Sequence, residues 1–236
     1  MTEAIIITPV KDSLETTKRT IEAISKAEGN FEHLIFNDFS QPETKHFLEQ
    51  TKKEYGFQLI HLEEITSNPS PNYKLVLQMA QKMALEKNLP LIIIESDVVI
   101  QPGTIVELLK ILQTKPNSGI IGAITVDNYG NYNFPYTFEK TKSSEVINTK
   151  HSLSFCCTLL SSQFLNQFDF ENLSHKKDWF DIYISRQSKK SGFNNYLAKG
   201  VEVLHLPHSS RPWKNLKYTK PALYYLKKYF YKRDRI

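Results

Sequence analysis

Leu89-Pro-Leu-Ile-Ile-Ile-Glu-Ser-Asp-Val-Val-Ile-Gln-Pro-Gly103 decides the reading of this chain. Leu89 to Glu95 reads as a strand, and within it Leu91 to Ile94 is an unbroken apolar run, the pattern of a strand buried on both faces of a parallel sheet rather than of one that alternates core and solvent. That run leads straight into Glu95, Ser96 and Asp97, and Pro102-Gly103 then opens a helix over Thr104 to Gln113. A polar cluster at the carboxyl end of a buried strand is where open α/β sheets bind ligands. Two carboxylates two residues apart on an extended chain point to the same side and can share a divalent cation through oxygen.

Working outward, strand and helix signals alternate. Ala4 to Thr8 is a short Ile-rich strand ended by Pro9, and Ser13 to Lys26 has helical spacing at Leu14, Thr17, Ile21 and Ile24. Phe31 to Asn37 and Phe57 to Leu62 read as strands, Gln41 to Tyr55 and Tyr73 to Lys87 as helices. Such alternation implies right-handed βαβ units on a mostly parallel sheet flanked by helices, an α/β fold. Further on, Gly119 to Val126, Leu153 to Leu160 and Val201 to Leu206 are expected strands, Ser161 to Phe168 and Trp179 to Ser191 expected helices, and Asp127 to Lys150 a polar loop.

Bulk properties narrow the class. With 236 residues and 40% hydrophobic content the chain can bury one full core, so a single domain over residues 1–212 is expected, followed by a basic, aromatic tail over 213–236. The net charge of +5 is concentrated in that tail, which interleaves Tyr218, Tyr224, Tyr225, Tyr229, Phe230 and Tyr231 with lysines and arginines, so the body carries no nucleic-acid signature. Rings beside basic groups suit an anionic membrane surface or a packed C-terminal helix with solvated lysines. There is no secretory signal pattern and no run of the ~20 apolar residues that a spanning helix needs, so the expected location is cytoplasmic, extending to the inner membrane face. Adjacent Cys156 and Cys157 are expected to be packing residues, not a disulfide or metal pair.

Three segments, Ile5-Ile-Ile-Thr-Pro-Val10, Ile35-Phe-Asn-Asp-Phe-Ser40 and Ile92-Ile-Ile-Glu-Ser-Asp-Val-Val-Ile-Gln-Pro-Gly103, resemble family 2 glycosyltransferases of the GT-A fold, a single Rossmann-like domain, over roughly residues 4–208. The resemblance implies that Thr8 and Pro9 line the nucleotide pocket, that Asp38 contacts the base or ribose, and that Glu95, Ser96 and Asp97 form the D-x-D element at the diphosphate, with Glu95 in place of the usual first aspartate. Asp97, Glu95 and His205 then become the expected ligands of Mn²⁺ or Mg²⁺, and Asn72 and Lys74 donor contacts. The segment Phe168-Asp-Phe-Glu171 with Lys177-Asp-Trp-Phe-Asp181 resembles the acceptor side, where spacing from Phe168 favours Asp178 as the base, the helix pattern that follows leaves Asp181 as the other candidate, and Lys177 stands where a glutamate is usual. A helix N-cap role is the alternative for either aspartate.

What the resemblance implies is metal-dependent, inverting transfer from a nucleoside diphosphate sugar, UDP-linked by the family's habit, to a glycan or lipid-linked acceptor in cell-surface polysaccharide biosynthesis. Two other readings are weighed. A non-catalytic binder of nucleotide-sugars or glycans is suggested by the substitutions at Glu95 and Lys177. A sugar-1-phosphate nucleotidyltransferase would want a glycine-rich loop after the first strand, and Val10-Lys-Asp-Ser-Leu14 has no glycine.

Overall fold

The isoleucine runs become the centre of a nine-stranded sheet. The computed structural model describes residues 2–139, 141–174, 179–206, 220, 222–224 and 226. In it β1 (Ala4–Val10), β2 (Phe31–Asn37), β3 (Phe57–His61) and β4 (Leu91–Ile94) lie parallel in the order β3-β2-β1-β4. The sheet continues through β8 (Cys157–Leu160), antiparallel to both neighbours, to β6 (Ser118–Val126) and β9 (Asn194–His205), which pair in parallel. Two short strands, β5 (Val98–Val99) and β7 (Val146–Asn148), pair antiparallel with β9.

Alternation along β1 sends Ile5 and Ile7 to one core and Ala4 and Ile6 to the other. The first core is closed by α3 (Tyr73–Lys87), α5 (Ser162–Gln167) and α6 (Phe180–Lys190), which contribute Leu77, Phe164 and Ile184. The second is closed by α1 (Leu14–Ser25) and α4 (Thr104–Thr114), through Ile24, Ile105 and Leu108. The remaining helix, α2 (Pro42–Thr51), supplies Leu48 to a smaller cluster with Ile21 and Ile35. This is the α/β architecture expected, with helices on both faces of a mostly parallel sheet.

Several boundaries differ from the expected ones. The first strand runs through Pro9 to Val10, and the Asp38 N–H bonds the Val10 carbonyl at 2.8 Å. The last strand begins at Asn194 instead of Val201, because its polar residues find buried partners. Asn195 receives a bond from Ser188 Oγ (2.7 Å) and donates to the Ser185 carbonyl (2.8 Å), while Lys199 pairs with Glu139 at 2.9 Å. Part of the expected loop 127–150 is β7, and residues 153–156 precede β8 without joining it. The expected domain boundary at 212/213 and nearly all of the tail lie outside the described residues.

The Lys199–Glu139 pair is 7% and 17% exposed and ties the segment after β6 to β9. Removing one member of such a buried pair strands the other charge, so Lys199→Ala should cost about 3–5 kcal/mol of unfolding free energy, measured by urea titration. The paired change Lys199→Met with Glu139→Leu should recover most of that loss. A single-variant loss below about 1 kcal/mol would mean that the pair is solvated in effect.

Candidate active site

The site is built at the carboxyl end of β4. The Glu95 N–H bonds the Cys156 carbonyl (3.0 Å), and a turn follows at once, closed by the Val98 N–H on the Glu95 carbonyl (3.1 Å). Glu95 and Asp97 therefore flank a tight turn; they do not share a side by strand alternation as expected. After the turn, β5 pairs Val98 with His205, and the Leu206 N–H bonds the Asp97 carbonyl at 2.8 Å. That short bridge brings together two residues more than a hundred positions apart in the chain.

Asp97 and His205 are 3% and 7% exposed, with His205 Nε2 3.3 Å from Asp97 Oδ2. His205 Nδ1 lies 2.7 Å from the Phe134 carbonyl, which accepts only, so Nδ1 carries a proton and donates. Nε2 then faces a carboxylate, a second acceptor. An imidazole between two acceptors is stable there only with a further proton or a cation at Nε2. Burial opposes the charged form, but Asp97, by hydrogen bond and by charge, and the Phe134 carbonyl outweigh it and raise the His205 pKa. A backbone carbonyl that holds one ring N–H is how a metal-ligating histidine is oriented, which leaves Nε2 as the nitrogen that could take a cation.

Among the described residues no group of three or more His, Cys, Asp and Glu side chains is gathered as a cage for an ion. Glu95 Oε2 is approached instead by Cys156 Sγ at 3.8 Å, although its charge still acts on His205. The structure thus brings Asp97 and His205 together and leaves Glu95 beside them. Two protein ligands fit a cation whose other positions are filled by phosphate oxygens and water, the usual arrangement for a hard divalent ion on a nucleotide.

At the end of β2, Asp38 is 8% exposed and anchors the loop before α3. Its Oδ1 accepts from Asn72 Nδ2, and its Oδ2 from the Asn72 N–H and Ser70 Oγ, each at 2.8 Å. A carboxylate has about four acceptor positions, so one is left for a base or ribose hydroxyl. Asn72 thus acts on Asp38. Thr8 is fully buried with Oγ1 3.0 Å from His33 Nε2, so its side chain serves the core and only its backbone can line a pocket; Pro9 beside it is half-buried.

Sequence reasoning missed a clasp between the loops after β1 and β2. The Asp12 N–H bonds Ser40 Oγ (3.0 Å), the Gln41 N–H bonds Asp12 Oδ1 (2.6 Å), and Lys11 Nζ donates to the Phe39 carbonyl. Asp12, Ser13 and Phe39 have φ of 54°, 53° and 56°, left-handed backbone that non-glycine residues adopt at a cost and that concentrates at ligand sites. The signal available was the polar pair Asp12-Ser13 directly after a buried strand.

On the opposite side, Lys74 Nζ donates to the carbonyls of Glu171 (3.1 Å) and Leu173 (2.6 Å), so its charge fastens the segment after α5. Asp181 lies in the first turn of α6, where Oδ1 accepts from the Ile182 N–H at 2.8 Å; Asp178 and Lys177 lie outside the described residues. The charge of Asp181 acts on Tyr73, Tyr136 and Cys156, and that of Glu95 acts on Tyr73 and Cys156, so the two carboxylates border one region. Burial, then the charges of Glu95 and Asp97, push the Cys156 thiol well above its ordinary range. Such a thiol stays neutral and is no nucleophile.

The family model described as glycosyl transferase family 2 matches residues 5–168. No curated protein matches in sequence. Among solved structures, S. aureus TarS 1-349 is similar with a TM-score of 0.62 and 14% identity, over 86% of this chain and 60% of that one. Mannosyltransferase PcManGT from Pyrobaculum calidifontis, in complex with GDP-Man and Mn²⁺, is similar with a TM-score of 0.64 and 12% identity, over 99% of this chain and 65% of that one. GalNAc-T7 with UDP, GalNAc and Mn²⁺ has a TM-score of 0.60 and 12% identity, over 88% and 44%. At these identities the likeness is one of fold, and the chain spans less than two thirds of the length of each of these structures.

Proposed function

Because the chain belongs to glycosyl transferase family 2, we propose that it moves a sugar from a nucleoside diphosphate, UDP in the first instance, to a hydroxyl of a glycan or lipid-linked acceptor, with inversion. The observation that carries this reading is the Asp97–His205 pair at the end of β4, with His205 Nδ1 on the Phe134 carbonyl and Nε2 on the Asp97 carboxylate. A divalent cation, Mn²⁺ or Mg²⁺, held by Asp97 and His205 would neutralise the charge that develops on the departing diphosphate. Asp38, Asn72 and the clasp between the loops after β1 and β2 orient the nucleotide. Asp181 accepts the proton of the acceptor hydroxyl as its oxygen bonds to the anomeric carbon and the bond from that carbon to the diphosphate breaks. The transfer is a single displacement, consistent with a neutral Cys156 thiol.

The acceptor class is read together with the tail. No helix among the described residues is long and apolar enough to cross a membrane. Within the described part of the tail Tyr224 is buried, whereas Leu223 and Leu226 are 37% and 55% exposed. Apolar side chains beside the tail's lysines and arginines support peripheral contact with an anionic surface, at the cytoplasmic face where lipid-linked glycans of the cell surface are built.

Calorimetric titration of UDP, GDP, dTDP and CDP, with and without Mn²⁺, tests the donor side. One nucleotide, UDP, is expected to bind, at least about tenfold tighter with Mn²⁺, a gain of roughly 1.4 kcal/mol. Failure of all four to bind under both conditions would remove the basis of the transferase reading.

A further inference from the structure

Tyr73 opens α3, directly after the Ser70 to Asn72 loop that Asp38 holds. Its ring packs against Phe180, the neighbour of Asp181, with centroids 6.2 Å apart. Its hydroxyl oxygen is buried and has no hydrogen-bond partner among the described residues. Tyr136, in the same region, contrasts with it: that hydroxyl accepts the Ser154 N–H at 3.1 Å. Buried hydroxyls are ordinarily satisfied, and an orphan beside a reaction site is a place where a ligand group belongs.

Its surroundings narrow the ligand. Burial first, then the charges of Glu95 and Asp181, hold the phenol well above its ordinary pKa, so it is a protonated donor at neutral pH. A phosphate would be repelled by those two carboxylates. A sugar hydroxyl suits all three groups, since its oxygen accepts from the phenol while its own proton goes to a carboxylate. On the transferase reading the nucleotide is held at Asp38 and the diphosphate at Asp97, so the group that comes to Tyr73 is the sugar being transferred.

Resting on the transferase reading, we infer that Tyr73 is a specificity-determining residue whose hydroxyl donates to a hydroxyl oxygen of the transferred sugar and so selects the donor by its sugar and not by its nucleotide.

The test is Tyr73→Phe, which keeps the ring on Phe180. Calorimetry would compare UDP with UDP-glucose and UDP-N-acetylglucosamine, and GDP with GDP-mannose, on wild type and variant. The expected result is a loss of about tenfold in affinity for the preferred sugar nucleotide, with the parent nucleoside diphosphate within about twofold of wild type. The melting temperature of the unliganded variant should be unchanged or higher, since a hydroxyl without a protein partner is removed; a structural hydrogen bond would give the opposite sign. An equal loss for nucleotide and sugar nucleotide, or no change in their ratio for any pair, overturns the inference while leaving the transferase reading in place. Wild-type protein that binds none of these nucleotides overturns the transferase reading first, and this one with it.

Discussion

Asp97→Ala is expected to abolish the Mn²⁺-dependent gain in nucleotide affinity and to lower transfer by about a thousandfold or more, some 4 kcal/mol of transition-state stabilisation. Asp97 is 3% exposed and its carboxylate faces His205 at 3.3 Å, so its removal takes away both the proposed cation ligand and the charge that makes a second proton on His205 favourable. Nucleotide binding without metal should survive, because Asp38, Asn72 and the loop clasp belong to the loops after β1 and β2 and before α3, and none of their hydrogen bonds runs to Asp97. Asp97→Asn keeps the volume and should behave almost as badly, which separates lost charge from lost packing. His205→Asn should lose most of the Mn²⁺ gain as well. The measurement is titration with UDP at fixed Mn²⁺, alongside a turnover assay that detects released UDP. A Mn²⁺ gain that persists in Asp97→Ala would move the cation site away from the end of β4.

How far the sequence carried this site depends on the range of each signal. The run Leu91 to Ile94 could be read because a strand covered on both faces must be continuously apolar, and its end located Asp97 without help from the rest of the chain. His205 was reachable as the polar end of another apolar run. What was not legible is what holds them: Phe134, whose carbonyl fixes the imidazole, sits in a polar stretch that carries no period of two or of 3.6. The turn at Glu95 to Val98 was hidden for a related reason, since Val98-Val99 continues the apolar run and gives no sign that the chain has reversed to pair with β9. Lys199 and Asn195 lie outside the expected strand, Val201 to Leu206, because burial of polar groups depends on partners, Glu139 and Ser188, that only the fold supplies. Lys74, a donor contact by the resemblance, has its ammonium on the carbonyls of Glu171 and Leu173, contacts that no local pattern announces.

The base is where sequence alone left two aspartates, and a second experiment separates them. Asp181→Asn should lower turnover by roughly 10²- to 10⁴-fold, the span of a positioned general base, with sugar-nucleotide affinity unchanged. Asp181 lies in the first turn of α6, where unpaired backbone amides and the helix dipole stabilise a carboxylate, and the adjoining Phe180 packs on Tyr73. Its charge is felt at Tyr73 and Cys156, as is that of Glu95, so it borders the region into which the transferred sugar would project. A base must meet the acceptor hydroxyl on the side of the anomeric carbon away from the diphosphate. The loss should therefore fall on kcat and not on donor binding, which distinguishes it from the Asp97 variants. Asp178→Asn, made in parallel, should then retain turnover within a few-fold. If instead Asp178→Asn loses turnover and Asp181→Asn keeps it, Asp181 is a helix-terminal residue and the proton leaves through the segment that precedes α6.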